Sequence, residues 1–246
     1  MPHRFFLPPE LLKTSEILFP PETARQIARV LRLKPVARVI VLNNAGQQAE
    51  VELTAVSNDS VEGRVLQISA AGGEPRARLT LYLGLTQREK FEWMLQKCTE
   101  VGAAAFVPLV TQRSLVQDGR EVERKRERWE AILREAAEQC GRGRIPELRP
   151  AQTWTAALRS IAADYDLALA AWEGEHALRL RDAVRALKNQ PNPRLAVLIG
   201  PEGGLSEEEI NAARAAGVRA VSLGDRILRM ETAAVVAAAL ALDELE

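Results

Sequence analysis

The sequence predicts an α/β protein: a parallel sheet covered by helices, preceded by a small β-rich domain. Three observations lead there. Between residues 36 and 68, short runs that alternate apolar and polar residues are separated by tight turns, the texture of a small barrel. From Arg78 onward, continuously apolar runs alternate with amphipathic ones, as in a parallel sheet buried on both faces. Between the two lies Ala70-Ala71-Gly72-Gly73-Glu74-Pro75, a linker by composition.

The β-rich part takes its elements in order. Val36–Leu42 reads as a strand and Asn43-Asn44-Ala45-Gly46 as a turn. Ala49–Val56 alternates as a half-buried strand does, Asn58-Asp59 turns again, and Ser60–Ile68 resumes the alternation. In the second part Arg78–Leu85, Ala104–Val110, Tyr165–Ala171 and Arg194–Ile199 are the buried strands. Lys90–Val101, Glu121–Gln139 and Leu178–Leu187 are the intervening helices. No repeat or low-complexity segment interrupts this order.

Composition excludes several function classes. The chain of 246 residues is 47% hydrophobic and 27% charged, as ordinary globular proteins are. Lys+Arg and Asp+Glu are each 33, so no global field recruits a polyanion, although a local basic face suffices for RNA. Cys98 and Cys140 are too few for a disulfide scaffold and lack zinc spacing, so no metal is expected. Cys98 falls in helical step with Phe91, Met94, Leu95 and Val101 and reads as core. The start, MPHRFFLPPELL, lacks a signal-peptide core, and Ala233–Leu242 is too short to span a bilayer. The expected location is the cytoplasm, without a membrane partner.

Two loops are built alike. Strand LAVLIG is followed by PEGG, and strand VRAVSLG by DRILRME; each loop opens on a glycine, Gly200 or Gly224, and leads into a helix. Beyond the carboxyl ends of parallel strands such loops form ligand crevices. Pro201 fixes one φ, while Gly203 and Gly204 leave the main chain uncovered. Ser206 and Glu209 have capping-box spacing, so Ser206 already occupies the helix amides there. That disfavours a phosphate cradle and favours a ligand read by backbone groups, such as a purine nucleoside; a plain strand-to-helix turn is the alternative. In the second loop Arg226 and Arg229 are candidate anion or base contacts and Glu231 a candidate acceptor. Thr232 opens the alanine-rich TAAVVAAALAL, either as its N-cap or as part of the site.

These residues also carry a resemblance. LIGPEGGLSEEEI followed by LGDRILRMETA, with QKCTEVGAAAFVPLVTQRS, EQCGRGRIPEL, RFFLP and ARQIARVLRLKPVARV, resembles the ribosomal RNA small-subunit uridine-N3 methyltransferases, the RsmE family of the SPOUT class. The match spans nearly the whole chain. Gln26 stands where members often carry histidine, and residues 150–190 match loosely. The resemblance implies a PUA-like β-barrel for RNA binding over 1–72. It implies a SPOUT methyltransferase domain over 73–246, with a deep trefoil knot at about 195–240. It implies S-adenosylmethionine as cofactor, bounded by Leu198, Gly200, Pro201, Glu202, Gly203 and Gly204 on one side. Leu223, Gly224, Ile227, Leu228, Met230, Thr232 and Ala233 bound it on the other. It implies a homodimer acting on small-subunit ribosomal RNA, naked or within the assembled 30S subunit.

For methylation at uracil N3, Arg229 is the candidate that stabilises negative charge on the uracil oxygens. Glu231 either orients Arg229 or takes the N3 proton. RNA contact is assigned to Arg4, Arg25, Arg29, Arg32 and Lys34, with Arg25, Arg29 and Arg32 on one helical face. Arg88, Lys90, Arg113, Arg142 and Arg144 extend the track; for Arg142 and Arg144 the helix terminus ending at Gly141 is a competing explanation. Two alternatives remain: a non-catalytic RNA-binding protein of the same fold, or a SPOUT enzyme acting on another nucleotide.

Overall fold

A computed structural model describes residues 2–117 and 120–246, without the side chains of Glu121 and Ala162. It divides into two compact units: the chain up to Glu74 with Arg134–Ile145, and Pro75–Leu133 with Pro146–Glu246.

In the first unit, β1 (Arg4–Phe6), β2 (Glu16–Leu18), β3 (Arg38–Leu42), β4 (Gln47–Val56) and β5 (Val61–Ala70) form one sheet in the order β1-β3-β4-β5-β2. β1 runs parallel to β3, and the other pairs are antiparallel. The sheet bends at register shifts in β4, at Glu50/Val51 and Leu53/Ala55, as bulges make strands do. Its inner face buries Phe5, Ile17, Val39, Val41, Val51 and Leu53 together with Phe19 and Ile27. Sequence alternation located β3, β4 and β5; the three-residue β1 and β2 are too short for a period to register.

The helix α1 (Pro21–Arg25) runs into a π-type turn, Gln26–Val30, closed by Leu31 N donating to Gln26 O at 2.9 Å. Arg32 then adopts φ +53° and leaves the helix. The expected shared face of Arg25, Arg29 and Arg32 is therefore corrected, because a wider turn and a left-handed residue rotate Arg32 out of register.

Residues 134–145 join this unit through specific bonds. Phe6 N donates to Glu138 Oε1 at 2.9 Å, and Ala137 packs with Phe6 and Leu42. Burial is the largest influence on the Glu138 carboxyl and raises its pKa above the usual range, against the Phe6 amide and Arg134. Gly141, at φ +83°, ends the preceding helix with its N–H on Ala137 O at 3.0 Å.

The second unit comprises β6 (Arg78–Gly84), α2 (Arg88–Val101), β7 (Ala105–Val110), α3 (Arg120–Cys140, whose last turns count with the first unit), β8 (Glu147–Leu148) and β9 (Gln152–Thr153). It continues with α4 (Trp154–Asp164), β10 (Leu167–Ala171), α5 (Leu180–Val184), β11 (Arg194–Ile199), α6 (Glu207–Ala215), β12 (Arg219–Val221) and α7 (Met230–Leu245). The sheet is parallel throughout, in the order β12-β10-β11-β6-β7-β8, with β9 also pairing β7. The expected α/β fold with a parallel sheet is thus observed. β10 lies between β11 and β12, so the chain leaving β11 must cross β10 to reach its far side.

The unanticipated α4 had a signal. Trp154, Ala157, Leu158 and Ile161 are buried at helical spacing, and Thr153 caps the helix by accepting from Ala156 N at 3.3 Å. Cys98 is fully buried, as its spacing implied, and burial pushes its thiol up to about 12. Phe91 stacks on Trp129 at 4.4 Å between ring centres, fixing α2 on α3. In α7 the buried Ala234, Ala237, Ala238 and Ala241 allow close packing on β6, β11 and α2. Arg76 fastens the end of α7, its Nε donating to Leu245 O at 3.1 Å.

Candidate active site

Parallel pairing puts the carboxyl ends of β10, β11 and β12 on one edge of the sheet, and their three loops bound two adjoining cavities there. One, of about 370 Å³, lies between the 200–205 loop and residues 227–233, with Lys90 at its side. The other, of about 310 Å³, is enclosed by 171–176 and 222–228. They share Ala171, Glu173, Ile227, Leu228 and Ala233, so together they form one bent crevice. Both volumes fall in the range of about 300–1,000 Å³ usual for small-molecule sites.

The 200–204 loop is held from outside. The Glu202 carboxylate accepts hydrogen bonds from Thr86 Oγ1 and from Lys90 Nζ, the latter at 3.0 Å. Burial opposes its ionisation, yet the bonds from Thr86, its own backbone and Lys90 together hold its pKa below the usual range. Arg113 donates to Gly203 O at 2.8 Å. Beyond the loop, Ser206 and Glu209 make the expected capping box; Glu209 also accepts from Gln112 N at 2.8 Å. The Ser206 and Glu209 amides are thereby satisfied within the protein.

The glycines answer to packing as well as to the crevice. A Cβ on Gly200 would meet Leu205 Cγ at 2.9 Å, one on Gly203 Arg113 Cβ at 3.1 Å, and one on Gly204 Glu173 Oε1 at 2.6 Å. Internal packing thus favours glycine at 200 and 203, and a φ of +70° favours it at 204, while all three still line the first cavity. Gly224 differs: its φ is +125°, and a Cβ there would meet nothing within 4 Å.

Of the predicted cofactor contacts, Gly200, Pro201, Glu202, Gly203, Gly204 and Met230 line the first cavity, and Leu223 and Gly224 the second. Ile227, Leu228 and Ala233 line both. Leu198 does not: its side chain is fully buried in the core of β11. Thr232 does not either. The N-cap of α7 is Arg229, so Thr232 sits exposed in the first turn. Arg229 and Glu231 both line the first cavity. The Glu231 Oε2 atom is buried and, among the described residues, has no hydrogen-bond partner. A buried acceptor left open in a cavity wall is suited to a ligand donor.

The predicted RNA contacts divide. Arg142 is buried and paired with Glu74 at 2.8 Å, a fastening of the first unit. It is removed from the RNA track, because a buried guanidinium bonded to a carboxylate is not presented to phosphate. Arg144 donates to Ala45 O at 3.0 Å, and Arg4 lies over Gly141. Arg29 pairs with Asp59 at 2.8 Å, an exposed pair of little stabilising value. Arg25, Arg32 and Lys34 are exposed. Lys90 and Arg113 serve the 200–204 loop, and Arg88 pairs with Glu92 at 2.9 Å. Trp172 and Glu173 were missed; their only sequence signal was their place just after β10.

Among the described residues, no His, Cys, Asp or Glu group is arranged to hold a metal ion, and no helix is long and apolar enough to cross a membrane. Comparison with known proteins decides the family. Residues 73–242 match the RNA methyltransferase domain model. A Bacillus subtilis protein named ribosomal RNA small subunit methyltransferase E is 33% identical over 86% of this chain and 84% of the relative. A Synechocystis protein of the same name is 33% identical over 97% of this chain and 77% of its own. The chain belongs to the ribosomal RNA small subunit methyltransferase E family. A solved member from Neisseria gonorrhoeae, bound to S-adenosyl methionine, superposes with a TM-score of 0.86 at 28% identity, covering 97% of this chain and 96% of its own. A putative methyltransferase from Legionella pneumophila, in complex with the same cofactor, gives 0.86 at 30% identity, covering 98% and 96%.

Proposed function

We propose that this protein methylates N3 of a specific uridine in small-subunit (16S) ribosomal RNA, using S-adenosylmethionine. The observation that carries the reading is the bent crevice over β10, β11 and β12, in a chain whose family relatives bear that name and whose solved relatives hold that cofactor. Bound there, the cofactor supplies a methyl group on a positively charged sulfur. The residues present fit it: braced main chain in the 200–204 loop, an open face at Gly224, and a buried carboxylate oxygen at Glu231 awaiting a donor.

The protein's own part is positioning and charge. Uracil N3 must give up a proton as it attacks, and negative charge spreads onto the ring oxygens. Arg229, exposed at the mouth of the first cavity, is placed to stabilise that charge. No ion pair joins Arg229 to Glu231 among the described residues, which favours Glu231 as the proton acceptor over an orienting role.

The topology in which β12 is reached across β10 supports a SPOUT domain with a deep trefoil knot at about 195–240. The bent sheet of the first unit supports a PUA-like barrel that binds RNA through Arg25, Arg29, Arg32 and Lys34. A homodimer acting in the cytoplasm on RNA or on the 30S subunit completes the proposal. Mass mapping of small-subunit RNA after incubation with purified protein and cofactor tests it. A single new methyl on uridine N3 is expected, whereas transfer to a ribose or to another base would overturn the assignment. Replacing Arg29 and Arg32 with alanine should lessen the salt slope of RNA binding by about 0.7–0.9 per lost phosphate contact.

A further inference from the structure

Glu173 stands out in the crevice because, among the described residues, no hydrogen bond or ion pair holds its carboxylate. It follows β10 directly and lines the wall that both cavities share. Its carboxylate lies over Gly204: the Cβ position of that glycine is 2.6 Å from Oε1 and 3.4 Å from Oε2. Gly204 has φ +70°, so the loop shape and the absence of a side chain together make room for this carboxylate.

Three neighbouring acids are committed elsewhere, while Glu231, on the far wall, keeps one buried oxygen open. Glu202 is bonded to Thr86 and Lys90, and Asp225 pairs with Arg179 at 3.1 Å. Glu175 accepts from Ala177 N at 2.9 Å and pairs with Arg214 at 3.2 Å. Among the described residues Glu173 has neither a hydrogen bond nor an ion pair. An anion held against a braced loop, without a protein cation, is complementary to a cation in the ligand. Its place on the shared wall sets it beside the middle of a ligand that fills both cavities. For a nucleoside joined to an amino-acid tail through sulfur, the charged middle is the sulfonium.

We propose that Glu173 is the residue by which the crevice distinguishes a sulfonium from a thioether, retaining S-adenosylmethionine in preference to its demethylated product. The inference rests on the cofactor assignment above. In the transfer one carbon–sulfur bond breaks as the N3–carbon bond forms. The sulfur keeps the bonding pair and becomes neutral, and the N3 proton passes to a base. The product therefore differs from the cofactor by a methyl and by the charge that Glu173 meets. Both keep the adenine, the ribose and the ammonium group, so those groups contribute equally to the two affinities. Because sulfur charge is already falling in the transition state, Glu173 serves selectivity rather than rate.

The test is calorimetric titration of the intact protein with S-adenosylmethionine and with S-adenosylhomocysteine, for wild type and Glu173→Gln. Wild type should prefer the charged ligand. The variant should lose about tenfold for it and less than about twofold for the thioether, the size expected of one partly exposed charge pair. In wild type the preference should shrink as salt rises, because an exposed carboxylate is screened. This second measurement stands even if the variant folds poorly. Equal losses for both ligands, no loss, or a preference insensitive to salt overturn the role of Glu173. Failure of wild type to bind either ligand instead overturns the cofactor assignment.

Discussion

The two glycine loops read alike in sequence and are built differently. The 200–204 loop is held by groups from other segments: Thr86 and Lys90 on Glu202, Arg113 on Gly203, and the Glu173 carboxylate against Gly204. The loop after β12 is anchored at its start, where Ser222 N donates to Leu178 O at 2.8 Å. Among the described residues, Arg226, Ile227 and Leu228 bond to no other segment. Ser222 Oγ accepts from Gly224 N at 3.2 Å, and the Arg179–Asp225 pair is exposed. Ile227 is 88% exposed, and Arg226 and Arg229 have no ion-pair partner among the described residues. A loop fixed before the ligand arrives loses little entropy on binding, and its dipoles are already set. A loop whose side chains are uncommitted leaves them free to meet substrate. One wall is scaffold; the other is where the proposed function places the chemistry.

The strongest challenge to that contrast is at Arg229. Arg229→Ala should lower the single-turnover methylation rate by about 10²–10³-fold while leaving cofactor affinity by calorimetry nearly unchanged. An equal loss of affinity would make the second loop a binding wall like the first. Next in size is Gly204→Ala, which forces an alanine to φ +70° and pushes its Cβ against Glu173. A destabilisation of about 1–3 kcal/mol in chemical denaturation, with weaker cofactor binding, is expected. Gly224→Ala meets no neighbour, but φ +125° lies outside the left-handed basin, so backbone strain alone should cost at least as much.

Arg113→Ala removes one brace without touching the cavity. Its cofactor affinity should fall about fivefold, the worth of one hydrogen bond. If RNA affinity fell instead, Arg113 would belong to the RNA track first assigned to it. The smallest effect concerns pH. Glu202 has its pKa lowered in the folded protein, so its stabilising bonds are fully present at neutral pH. They are lost as pH falls through the carboxylate range to the lowered value. Thr86→Val should therefore lower the Tm at neutral pH, with the gap to wild type closing in acid. A gap that persisted in acid would mean that Thr86 acts by packing alone.

Much of this site was legible in the chain. The crevice walls at Gly200–Gly204 and Gly224–Met230 followed from glycines placed after apolar strands, because parallel strands put such turns on one edge. The α6 cap at Ser206 and Glu209 was local, and locality is why it was read correctly. Arg32 and Thr232 were misplaced by local geometry, and other features depended on distant partners. Gly200, Gly203 and Gly204 do line the crevice, but the sequence did not show that Leu205, Arg113 and Glu173 also press on them. Arg142 read as a basic surface residue until Glu74, distant in sequence, was found beside it. α4 had its pattern in plain view at Trp154, Ala157, Leu158 and Ile161, and β1 and β2 offered three residues each.

By itself the sequence determined most strands and helices, the glycine turns and the family, since each depends on short-range spacing or on a run of identities. Tertiary structure alone decided which charges are spent and which are free. Lys90 and Arg113 turned inward to a loop, Arg142 went under cover, and Glu173 was left facing the crevice with no ion pair among the described residues. The reason is physical: a charge takes its role from the partner within a few ångströms, and only the folded chain supplies that partner.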